Sequence, residues 1–169
     1  SKTPPKTPTL EHLHKPLKNS MQKISACYDV SGSTLFDSAK SFDGKSFRHI
    51  YAVALHKVYE ELPEHEIICW SSRAIVPQND QLDIFKNCIT KEIPVAEQIH
   101  NMNSGTEPHH LLALLQNKTS VIITDGEIEP KSIQVIQNQL ATSQIGQALL
   151  VIIPLIDTYK NLYTNNNFE

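Results

Sequence analysis

No run of the chain approaches the roughly 20 consecutive apolar residues that a bilayer-spanning helix needs, and no basic-then-apolar signal segment opens it. No membrane segment is therefore expected. Acidic and basic residues, 18 against 15, are spread without long blocks. The basic stripe that marks a DNA- or RNA-binding surface is absent, so no nucleic-acid partner is indicated. A Gly-rich phosphate-binding loop with its Lys is missing too, no Ser-His-Asp or Cys-His arrangement stands out by local motif, and no internal repeat is visible. Cysteine is scarce: Cys27, Cys69 and Cys88 form an odd set without a Cys-x-x-Cys spacing, and two of them fall inside apolar strand patterns, where a thiol behaves as a small hydrophobe. Buried free thiols are expected rather than a disulfide. That points to a reducing, cytoplasmic setting, with an extracellular one as the alternative.

The composition that remains, 169 residues of which 40% are hydrophobic and 20% charged, suits one globular domain with a sizeable core. Residues 1–20 are set apart from it. Ser1 to Asn19 holds four of the ten prolines, with Lys and Thr between them and no sustained apolar period, and reads as a linker or N-terminal arm. His12 and His14 form an i, i+2 pair in that arm with no further ligand pattern, and read as solvated residues rather than a metal site. The domain is expected over residues 21–169. Because Ser1 stands where an initiator Met would, ahead of a Lys/Pro/Thr-rich start, the chain is expected to be a piece of something longer.

Apolar periodicity then lays out the elements. Ile24 to Tyr28 reads as a buried strand, followed after the polar stretch Asp37 to Lys45 by a helix whose stripe is Phe47, Ile50, Tyr51, Ala54, Leu55, Val58 and Leu62, ended by Pro63. His49 and His56 fall outside that stripe and are expected at the surface. Glu66 to Trp70 reads as a second strand, with Ala74-Ile75-Val76 returning beside it as an antiparallel edge. Leu82, Phe85 and Ile89 suit a helix capped by Asn79 or Asp80 and broken at Ile93-Pro94-Val95. Pro108 is placed to open a helix carrying Leu111, Leu112, Leu114 and Leu115. Val121 to Thr124 is a continuous apolar run typical of a buried parallel strand, Glu129-Pro130 opens a helix with Ile133, Ile136 and Leu140 on one side, and Ala148 to Ile153 is a fully apolar strand closed by Pro154. This alternation predicts an α/β fold, doubly wound, with a mainly parallel central sheet, helices on both faces and ligands at the carboxyl ends of the strands.

Candidate ligands sit at those ends. Asp29-Val30-Ser31-Gly32-Ser33 puts one carboxylate and two hydroxyls on a tight turn after the first strand. Oxygen donors of this kind suit a hard cation such as Mg2+ or Mn2+, and no Cys or His lies within the turn to favour zinc. The same residue types also cap turns and helix starts, so the stretch alone leaves both readings open. Thr106, just before a helix start, and Asp125, after Val121 to Thr124, arrive at the same sheet edge on separate loops, and their convergence favours the metal. Glu107, His109, His110, Glu127 and Glu129 lie beside these positions, and solvation of a helix start and a loop is their expected role. Trp70 ends a buried strand and is expected in the core.

Asp29-Val30-Ser31-Gly32-Ser33, Gly105-Thr106 and Thr124-Asp125-Gly126 occur in that order. Over roughly Lys23 to Pro154 the chain thereby resembles von Willebrand factor type A (vWA) domains, whose metal-ion-dependent adhesion site (MIDAS) pairs an Asp-x-Ser-x-Ser turn with a Gly-Thr loop and a Thr-Asp-Gly sequence. The resemblance implies a Rossmann-like fold, Ser31, Ser33 and Thr106 as hydroxyl ligands of Mg2+ or Mn2+, and Asp29 and Asp125 acting directly or through water. The family usually continues with another helix, a strand and a closing helix after the strand here placed at Ala148 to Ile153. The last elements are therefore expected to be abbreviated, cut away or supplied by a partner.

The function expected is a non-enzymatic, metal-dependent protein-binding module, part of a larger intracellular protein or complex, that docks a partner's Asp or Glu carboxylate on the bound cation. The alternative is a Mg2+-dependent hydrolase or phosphotransferase with Asp29 as nucleophile. That chemistry calls for a second acid two residues later, where this chain has Ser31. A third reading is a scaffold with an empty site, against which the full five-residue set speaks.

Overall fold

Six consecutive residues, Ile24–Asp29, form strand β1, and all six are buried. A strand without a polar face must be covered on both sides. The computed structural model describes residues 23–36, 45–99 and 105–154 and shows how that covering is built. After β1 come a 3-10 turn, Gly32–Leu35, helix α1 (Phe47–Glu61), strands β2 (His65–Trp70) and β3 (Ala74–Ile75), and helices α2 (Asp80–Lys91) and α3 (Val95–Gln98). A second 3-10 turn, Pro108–Leu111, leads to strand β4 (Ser120–Thr124), helix α4 (Pro130–Gln139) and strand β5 (Ala148–Ile152). Residues 1–22, with His12 and His14, and residues 37–44, 100–104 and 155–169 lie outside the described residues.

The five strands form one sheet in the order β3-β2-β1-β4-β5. β1 pairs in parallel with β2 and with β4, β4 pairs in parallel with β5, and the two-residue β3 returns antiparallel along β2. The chain thus winds from β1 towards β2, then crosses back to start β4 on the other flank of β1. Right-handed crossovers in opposite directions place their helices on opposite faces. One face of β1, with Ala26 and Tyr28, packs under α1, α2 and α3 through Tyr51, Leu55, Val58, Phe85 and Ile89. The other face, with Cys27, meets Ile68, Trp70, Leu111 and Leu115, and α4 lies against the Pro108–Leu111 turn through Ser132 and His109. The result is a doubly wound, Rossmann-like α/β unit with a mixed, mainly parallel sheet. No helix among the described residues is long and apolar enough to cross a membrane.

Local expectations hold where burial is deep. The α1 stripe is buried at Phe47, Tyr51, Leu55 and Val58, Trp70 is in the core with its indole N–H donated to the Cys27 carbonyl at 3.1 Å, and all three cysteines are free and buried. Four features depart from the sequence reading or add to it. The segment from Pro108 forms a 3-10 turn followed by turns rather than an α-helix. It runs from the carboxyl edge of the sheet, where Glu107 N–H binds the Ser71 carbonyl, to the amino end of β4, and an α-helix rising about 1.5 Å per residue covers less of that distance than a looser path. β5, read as a fully apolar strand, is the edge strand among the described residues, with Leu149 buried and Leu150 and Ile152 about half exposed. α4 buries only Ser132 and leaves Ile133 exposed, and Leu140, just past its end, is exposed too. His56, expected at the surface, is half-buried with Nδ1 2.9 Å from the Ile89 carbonyl oxygen.

The two faces predict different sensitivities. Leu55→Ala, in the densely packed face, is expected to cost about 2–5 kcal/mol in chemical denaturation. Ile133→Ala, 43% exposed, is expected to change stability by about 0.5 kcal/mol or less.

Candidate metal centre

β1 and β4 lie side by side but belong to opposite arms of the winding, so the crevice outside their carboxyl ends is the switch point of the sheet. Asp29 is the last residue of β1 and Asp125 the first after β4. Both are buried, Asp29 completely.

The turn after β1 is held from several elements. Tyr51 of α1 donates its hydroxyl to the Asp29 carbonyl at 2.6 Å, and Val30 N–H donates to the Trp70 carbonyl at the end of β2. Thr34 Oγ1 donates to the Ser31 carbonyl at 2.7 Å, closing the 3-10 turn. The Asp29 carboxylate turns back onto its own loop: Oδ1 accepts from Ser31 N–H at 2.8 Å, and Oδ2 accepts from Thr124 Oγ1 of β4 at 2.7 Å. Ser31 and Ser33 place their hydroxyl oxygens 3.2 Å apart, and Ser33 donates to Asp125 Oδ2. Asp125 Oδ1 accepts from Glu127 N–H at 3.0 Å. Gly126 has φ +81°, and a Cβ there would stand 3.1 Å from Ile152, so this turn is restricted to glycine by conformation.

Asp29, Ser31, Ser33 and Asp125 are therefore joined in one hydrogen-bonded group. Thr106 is buried on the third loop. That loop is tied to β2 by Glu107 N–H on the Ser71 carbonyl and to the Asp125 loop by Glu129 N–H on the Thr106 carbonyl, each at 2.9 Å. Thr124 and Tyr51 belong to the site as positioning residues that sequence reasoning did not assign. Thr124 was visible within Thr-Asp-Gly, whereas Tyr51 looked like one more apolar-stripe residue of α1.

Two carboxylates in one buried crevice oppose each other's ionisation. Burial, and then the neighbouring Asp125, push Asp29 up to about 7; the groups that pull the other way are neutral donors, Ser31 and Thr124. Asp125 is raised as well, chiefly by burial. The amino end of the same sheet is arranged differently, since Glu66 there accepts from Ser25 and pairs with Lys118 at 3.1 Å. An all-oxygen group holding two acids against neutral donors fits a hard divalent cation, which would keep both carboxylates ionised. Asp29, Ser31, Ser33, Thr106 and Asp125 are the residues available to hold it.

No family model matches the chain, and none of the curated proteins compared with it matches either.

The raised carboxyls predict a pH dependence in the metal-free protein. Between the ordinary carboxyl value near 4 and about 7, the folded state binds more protons than the unfolded state, so stability falls as pH rises. In chelator, the thermal midpoint of the wild type is expected to drop across that window. Asp29→Asn should remove much of the drop; an unchanged slope in the variant would refute this assignment.

Proposed function

We propose that this chain is a vWA-type protein-binding module in which Asp29, Ser31, Ser33, Thr106 and Asp125 form a MIDAS-like site for Mg2+ or Mn2+. It recruits a partner protein through an Asp or Glu carboxylate of that partner. The observation that carries the reading is the pair of buried acids at the switch point, held by hydroxyl and backbone donors where a cation would satisfy both. When bound, the ion supplies residual positive charge and a coordination position open to one further carboxylate. The chain's own residues do the rest. Thr124 and Ser31 orient Asp29, Ser33 and the Glu127 N–H orient Asp125, and Tyr51 anchors the β1 turn to α1. Buried, free Cys27, Cys69 and Cys88 support a reducing compartment, and thus a role within a larger intracellular protein or complex.

A hydrolase or phosphotransferase with Asp29 as nucleophile is the second reading, and the geometry favours it less. Asp29 is fully buried, with both carboxylate oxygens already accepting hydrogen bonds. Ser31 occupies the position where that chemistry calls for a second acid.

Titration with Mg2+ or Mn2+ tests the proposal. At about one hundred times its dissociation constant, the cation is expected to stabilise the wild type by about 2.7 kcal/mol. Asp29→Ala and Thr106→Ala should lose most of that gain, and partner capture by the wild type should disappear in chelator. Stability and capture that are indifferent to divalent cations would sink the reading. Turnover of a generic phosphoester that is lost in Asp29→Asn would replace it with the enzymatic one.

A further inference from the structure

Next to Thr106 stands a second group of potential ligands with a different chemistry. Glu107, His109 and His110 each bring one ligand atom within 4.8 Å of the other two. The 3-10 path over Pro108–Leu111 makes this possible, because three residues per turn bring positions 107 and 110 onto one side. His110 Nε2 lies 3.8 Å from Glu107 Oε1, and the His109 and His110 rings are 4.0 Å apart between centroids. The backbone beneath them is fixed. Glu107 N–H is bound to the Ser71 carbonyl, His109 N–H to the Ser132 hydroxyl at 3.0 Å, and Leu111 is buried in the core.

His109 carries the feature that separates a ligand from a solvated histidine. Its Nδ1 is 2.8 Å from the hydroxyl of Ser132, itself buried at the start of α4. A ring held at Nδ1 by an outer partner has its orientation set, and in the tautomer that donates from Nδ1 to the hydroxyl it offers Nε2 to a metal. Two imidazoles with one carboxylate are borderline nitrogen and oxygen donors, which select zinc over Mg2+ or Ca2+. Glu107 and His110 are about one-third exposed, so a hydrated ion can reach them. Tetrahedral coordination at ordinary zinc distances needs ligand atoms about 3.3 Å apart, a contraction that rotation of the Glu107 and His110 side chains towards the held His109 ring would supply.

We propose that Glu107, His109 and His110 form a zinc site, with Ser132 as the positioning residue for His109 and a fourth coordination position open to water or to a partner's side chain. The site is separate from the oxygen-only centre at Asp29 and stands whether or not that centre takes Mg2+.

The test uses the full chain, with zinc chloride as probe in calorimetry under excess Mg2+, and Co2+ as spectroscopic stand-in. One equivalent of Zn2+ is expected to bind, and Co2+ should give the intense visible bands of a four-coordinate site rather than the weak ones of six oxygen ligands. Glu107→Gln and His110→Gln should each weaken binding at least about tenfold, and Ser132→Ala by about 10- to 100-fold, with circular dichroism confirming the fold of each. Asp29→Asn should leave zinc affinity unchanged, which distinguishes this site from the Mg2+ centre. A paired His12→Ala and His14→Ala variant should also retain it. Absence of binding, unchanged affinity in both Glu107→Gln and His110→Gln, or loss of binding in the His12/His14 variant would each overturn the proposal.

Discussion

Two carboxylates that cannot both ionise cheaply, Asp29 and Asp125, occupy one crevice at the carboxyl ends of β1 and β4, and much of the surrounding architecture is needed to hold them there. Their backbones follow parallel strands hydrogen-bonded to each other. Thr124 donates to the Asp29 carboxylate and Ser33 to that of Asp125, while Ser31, bound to Asp29 through its N–H, meets Ser33 through its hydroxyl. Burial in a low-dielectric crevice makes the like-charge pair costly, yet the groups that offset the cost are neutral. An arrangement of this kind is unfavourable for a metal-free protein and favourable for one that captures a cation, because the ion removes the repulsion and satisfies both acids together.

The sheet order is what allows this pairing. Winding out to β2 and β3, then back across β1 to β4, leaves β1 central and buried on both faces. Reversal at that point opens the crevice between the loops that follow β1 and β4. Among the described residues the two faces are not equally covered. Three helices pack on one, while a 3-10 turn and its following residues cover part of the other. Half-exposed Leu150 and Ile152 on the edge strand, with exposed Leu140 nearby in sequence, mark the thinner side. Placing the 3-10 turn there has a local consequence: Glu107, His109 and His110 come together beside the loop of Thr106, braced from α4 by Ser132.

Legibility tracked the range of the interaction. Phe47, Tyr51, Leu55 and Val58 repeat at helical spacing because one face of α1 meets the core, and that pattern is local. β2 and the antiparallel return of β3 were readable for the same reason. Apolar content did not everywhere translate into depth. Ala148–Ile152 is apolar throughout, but a strand paired with β4 at the edge buries only alternate side chains. Ile133 and Leu140 have the spacing of a buried stripe on a helix that packs through Ser132 instead. His56 lies off the apolar stripe, yet α2 passes close enough for it to meet the Ile89 carbonyl.

By itself the sequence determined the kinds of most elements, their order, the free thiols in the core and the three stretches that carry the candidate oxygen ligands. All of these depend on residue type and on neighbours a few positions away. Tertiary structure alone decided that Ser33 would meet Asp125 across 92 residues of chain, that Thr124 and Tyr51 would grip Asp29 from different elements, and that Ser132 would fix the His109 ring. Such contacts arise from strand order and from which face each crossover covers. Hydrophobic periodicity describes one element at a time and carries no record of which element will lie beside it.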